Sequence, residues 1–242
     1  MNLNNSASPL PPPNNPILDS YLNFRKATPF VTRTVLMSQL TCFFLSFLFD
    51  LTDAIANTPY FTVQHYEVYR IILSPFLCSR FISLVLAYFS FTENGRRLEL
   101  SIGSTGFLVL IFTIGVLTNL IYILLAYTIN AIIDSETSLF LPASGIWIIL
   151  FGIISIECSQ APPQSMRKLF LFPVRATYYP LALFSVFTLL GIFEITSLIS
   201  IGLGYAYGYV SFHFVSYCET FVRLTDPPIP LHVFLAKDIW KS

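Results

Sequence analysis

From Leu100 to Ile133 the chain carries no charged residue. At about 1.5 Å per residue, a helix over this stretch is longer than one crossing of a hydrocarbon core about 30 Å thick. It is too short for two crossings with a turn between them. Such a segment has no polar face to offer water. Composition shows that the rest of the chain cannot supply one: 55% of the 242 residues are hydrophobic, 16% are aromatic and only 11% are charged. A soluble domain usually carries about twice that share of charge. Mean hydropathy is +0.69. Lipid is therefore the expected solvent, and an all-α membrane protein the expected fold class.

Five further apolar segments fall around this one. They are about Thr34–Phe49, Ile71–Phe91, Leu139–Ile156, Tyr178–Phe193 and Ile195–Tyr217. Pro162-Pro163 stops any helix after the fourth span, and Pro173 and Pro180 bound the start of the fifth. Residues 1–30 are polar, with Pro11-Pro12-Pro13, and read as a disordered tail. Residues 31–218 form the six-span membrane domain, and residues 219–242 read as a short tail. No cleavable signal peptide is evident, so the first span is expected to serve as the targeting signal. Cys42, Cys78, Cys158 and Cys218 are far apart in or beside apolar runs and read as buried thiols, not as a disulfide or metal set.

Six spans put both termini on one side. On that side fall Arg25, Lys26, Arg33, Arg96, Arg97, Arg167, Lys168, Arg175, Arg223, Lys237 and Lys241. The other side has Arg70, with Arg80 near the start of the second span. Positive residues collect on the cytosolic side, so both termini are expected there. Five or seven spans would scramble this pattern.

One stretch carries more than hydropathy. Tyr69-Arg70 precedes the second span, and Gly95, Leu98-Glu99 and Gly103-Ser104 follow it. Ser144-Gly145 opens the fourth span, and Gly204 and Gly208 lie on the sixth. In this order the set resembles the rhomboid superfamily, which implies a six-transmembrane-helix rhomboid-like bundle. A small-xxx-small spacing also has its own physical reading: Gly204 and Gly208 share a face along which a second helix can approach closely. Gly145 is expected to receive that face. Glu93, Arg96, Arg97 and Glu99 are expected to cap and pair in a polar turn that ends the second span.

The resemblance also states what catalysis would need. A serine hydroxyl attacks only if a base takes its proton, and the oxyanion that forms needs hydrogen-bond donors. Ser144 matches the nucleophile position. The base position falls at Ile201 and the two oxyanion positions at Ser83 and Ala87; Pro142 replaces the glycine two residues before the nucleophile. Of the three histidines, His65 lies before the second span and His232 in the tail. His213 is on the sixth span, but about 18 Å of helix beyond Ile201. No catalytic residue is expected, and Ser144 reads as a small packing residue.

What the resemblance implies is a pseudoprotease. It is most similar to endoplasmic-reticulum rhomboid-like proteins that carry a ubiquitin-associated domain, with no room here for that domain. The derlins are more distant, their Trp-Arg and Gly-His pairs not being intact. The expected role is to bind transmembrane helices of client or partner proteins in quality control or trafficking, possible contacts being ubiquitin-ligase or degradation machinery. The bilayer is the other expected partner; no nucleic acid, metal or cofactor is expected. Two other classes remain open. One is an active intramembrane serine protease using Ser144. The other is a small channel or transporter, for which Arg80, Glu157 and Glu194 are the available ionisable groups.

Overall fold

A computed structural model describes residues 28–225, apart from 79, 135, 163, 170–171 and 190–193; from residue 211 only the backbone is described. The two tails expected from the sequence lie largely outside these residues. Helix α1 spans Phe30–Leu45, α2 Leu51–Ile55, α3 Pro59–Gln64 and α4 Tyr69–Leu73. A 3-10 turn, Ser74–Phe76, follows. Then come α5 Phe81–Ile102, α6 Ser104–Ile133, α7 Thr137–Phe140 and α8 Trp147–Ser159. Strands β1 Met166–Leu169 and β2 Phe172–Arg175 form a hairpin, and a 3-10 turn, Ala176–Tyr178, leads into α9 Tyr179–Leu189 and α10 Ile195–Thr225.

α8 is the central element. Every residue from Trp147 to Cys158 is buried. A helix that is apolar all round must be enclosed by its neighbours, and α5, α6, α9 and α10 pack on it. Its closest partner is α10. A Cβ added at Gly204 would lie 2.5 Å from the Gly152 carbonyl oxygen and 2.6 Å from Ser155 Cβ, and one at Gly208 would strike Ser159. The face of Gly204 and Gly208 is thus received by Gly152, Ser155 and Ser159. The expectation that Gly145 receives it is corrected: Gly145 lies before the helix, at φ +115°, with its N–H on the Ser74 carbonyl at 2.9 Å.

Among the described residues one helix, α6, is long and apolar enough to cross a membrane. The pair Tyr69–Phe76 and Phe81–Ile102 meets that standard together, across a bend of 85°. Shorter apolar helices are Phe30–Leu45, Trp147–Ser159, Ala176–Leu189 and Ile195–Val210.

Three expectations change in detail. The second span is not one helix from Ile71 to Phe91, because Pro75 has no N–H and its ring crowds the carbonyl of the preceding turn. The chain leaves the helical path there and resumes at Phe81. The polar stretch after Phe91 is not a turn; α5 runs through it to Ile102, and the break falls at Gly103 (φ +81°, ψ 158°), a conformation that suits glycine alone. The fold is not purely α: β1 and β2 pair antiparallel, Met166 opposite Arg175 and Leu169 opposite Phe172. The last helix, α10, runs to Thr225.

Candidate functional site

Pro29 stands at the N-cap of α1 and offers no side-chain acceptor. The first N–H groups of that helix would be orphaned. Glu99, on α5 and only 2% exposed, takes them. Its Oε1 accepts from the Val31 N–H at 2.9 Å, and its Oε2 from the Thr32 N–H and hydroxyl at 2.7 Å each. The Ser104 hydroxyl donates to Oε1 at 2.6 Å. Gly95, one turn earlier, leaves room for the Thr32 side chain. Two motif residues, Gly95 and Glu99, therefore meet the start of α1, and Ser104, placed by the break at Gly103, holds the Glu99 carboxylate from the other side. Arg97 instead pairs with Glu93 at the surface, at 2.8 Å.

The second motif fastens the segment before α5. Arg70 is 5% exposed. Its Nη1 donates to the Asp53 and Ala56 carbonyls at 2.7 and 2.9 Å, and its Nε to Glu67 at 2.5 Å. The Tyr69 hydroxyl donates to the Ala54 carbonyl at 3.2 Å. One side chain thus gathers three points of a loop that has little core of its own.

Pro75 frees the Ile71 carbonyl, and the sequence reading missed what takes its place. Asn119, on α6 and fully buried, donates from Nδ2 to the Ile71 carbonyl at 2.8 Å and to Ser74 Oγ at 2.9 Å. Its Oδ1 accepts from Asn57 Nδ2 at 3.1 Å. Asn57 pairs through its backbone with Ala143, immediately before Ser144. The signal was present: an amide in the middle of a long apolar run must find a partner.

The positions matched to rhomboid chemistry lie around the start of α8. Ser144 is half-buried in the loop before it. Ile201 and Ala87 are each 2% exposed and bear no polar side-chain group. Ser83 Oγ accepts the Trp147 indole N–H at 2.6 Å. His65 is not in this group; its ring lies 5.8 Å from Tyr60 and 5.6 Å from Phe61. His213 is on α10, and His232 is outside the described residues. Glu194, immediately before α10, has its Oε2 buried without a hydrogen-bond partner among the described residues. Burial pushes its carboxyl up to about 7, with the Arg80 charge acting the other way.

Trp147 was also missed. It stands between α5 and α9, which do not pack extensively on each other. Its N–H reaches Ser83 on α5, and its ring centroid is 4.5 Å from that of Phe187 on α9. Phe151, Phe184 and Phe187 continue this apolar seam. A buried indole N–H needs an acceptor, which the sequence could have flagged, but spacing along the chain does not reveal that Ser83 supplies it.

Residues 33–220 match the family described as eukaryotic integral membrane protein, DUF1751. The chain belongs to this family. It is a rhomboid-like family, and the match runs from α1 to α10, so Arg70, Glu99 and the seam fall inside it. The DUF1751 chain is an integral membrane protein, and its apolar outer helix faces are read against lipid. No curated protein matches the chain.

Proposed function

We propose that this protein is a catalytically inactive, six-crossing rhomboid-like adaptor with cytosolic termini. It binds transmembrane segments of client or partner proteins along the seam between α5 and α9. The endoplasmic reticulum membrane, in quality control or trafficking, is the proposed setting. The observation that carries this reading is the chemistry at the matched positions. A buried isoleucine and an alanine stand where a base and an oxyanion donor are needed, and the hydroxyl of Ser83 is engaged by Trp147. A hydroxyl without a base is a poor nucleophile. The seam supports the binding half of the proposal. It is apolar, is filled by Trp147 and Phe187, and the two helices beside it carry the exposed Phe89 and Leu181.

Two measurements test the two halves. Photo-crosslinkers placed at Phe89 and Leu181 should trap membrane proteins in cells; yields no higher than from the lipid-facing Leu124 of α6 would overturn the adaptor reading. A fluorophosphonate probe should leave Ser144 unlabelled. Labelling that disappears in Ser144→Ala would establish the protease instead.

A further inference from the structure

We propose that the outward face of the β1–β2 hairpin is a docking surface for anionic phospholipid headgroups of the leaflet beside it. The register sets Met166 opposite Arg175 and Lys168 opposite Pro173, alternating with Arg167 opposite Val174. Residues two apart on a strand share a face. Met166, Lys168, Pro173 and Arg175 therefore form one face, and Arg167 and Val174 the other. Burial follows the same division. Val174 packs against the hydrophobic core, and Arg167 binds buried Glu157 at 2.7 Å. The other four are exposed, Met166 at 63%.

Neither Lys168 nor Arg175 makes an ion pair among the described residues. Tyr178, 59% exposed, stands three residues after Arg175. Two open cations beside a thioether and a phenol suit the boundary between headgroups and acyl chains. The end of α5 carries two further exposed cations, Arg96 and Arg97, of which Arg97 offsets Glu93.

The surface is also held ready. The Glu157–Arg167 pair lies under the hairpin, the Ala176 N–H donates to the Ser165 carbonyl at 3.0 Å, and the Tyr205 hydroxyl donates to the Thr177 carbonyl. Little ordering is left for binding to impose. The occupant is lipid because the hairpin joins two apolar helices, α8 and α9, in an integral membrane protein, so the polar link between them belongs at a headgroup layer. Charge complementarity selects the anionic species. This inference does not rest on client binding, and the test reads lipid alone.

The full chain in neutral detergent micelles is titrated with dioleoyl phosphatidylserine or dioleoylphosphatidylcholine, and occupancy is read by native mass spectrometry. Phosphatidylserine should bind more tightly. Lys168→Gln with Arg175→Gln should reduce that preference at least about fivefold, the factor expected of one surface cation. Lys168→Arg with Arg175→Lys should retain it. Circular dichroism shows whether the variants fold. If the Gln pair does not, the wild-type preference must shrink between about 50 and about 500 mM salt. Equal binding of the two lipids, or a preference that survives the Gln pair or the salt, overturns the proposal. So does equal competition by soluble glycerophosphoserine, which would mark a site for free anions.

Discussion

Glu99 holds two helices and the start of a third with one carboxylate. Removing it leaves two N–H groups and two hydroxyls facing an apolar interior, at roughly 1–3 kcal/mol for each group not rescued by water. Glu99→Ala should destabilise the protein by about 3 kcal/mol or more, read as a lowered Tm in detergent. Glu99→Gln should be nearly as damaging, because its amide would turn donors toward donors. A second residue gives a pH signature. The Glu194 carboxyl is raised by burial from 4.5 to about 7. Its contribution to stability is full below the ordinary value and is lost as pH rises through the raised one. Tm should therefore fall between about pH 5 and about pH 8, and Glu194→Gln should flatten that slope. Equal slopes in the two proteins would show that another group titrates. At this scale legibility was uneven. Glu99 and Arg70 could be singled out from the motif order. The pairs Trp147–Ser83 and Asn119–Ile71 could not, because each depends on two helices sharing a depth, which spacing along one chain does not encode.

Helices follow from hydropathy more readily than their interruptions do. The apolar segments were found where helices stand, yet Pro75 was passed over inside one of them. Its consequence becomes visible only with Asn119, which replaces the donor that proline lacks. The hairpin was missed for a related reason. Met166–Arg175 is flanked by apolar helices and by prolines that signal loop, and its alternation is short. The α8–α10 interface is a sharper case, because the glycines were identified but their receiving face was not. A direct comparison tests that interface. Gly204→Ala drives a Cβ into the backbone of Gly152 and should cost about 1–3 kcal/mol. Gly202→Ala meets nothing within 4 Å and should cost nothing, or gain slightly from helix propensity. Equal Tm values for the two variants would refute the close packing.

Over the whole molecule, the order of basic residues along the chain carries a proposal about sides, with Arg96, Arg97, Lys168 and Arg175 all on the cytosolic one. A cysteine placed at Lys168 should accordingly react with an impermeant maleimide from the cytosolic side, and one at His65 only from the opposite side. Labelling of both from one side would invert the proposed topology. What charge could not convey was relative height. α6, with 30 residues, stands about 45 Å tall, whereas α1, with 16, reaches about 24 Å, and both lean on α5. A leaflet flowing past this protein meets a high bank on one flank and a low one on the other. Its surface should slope down toward α1, so neighbours with short hydrophobic stretches should gather along that shore.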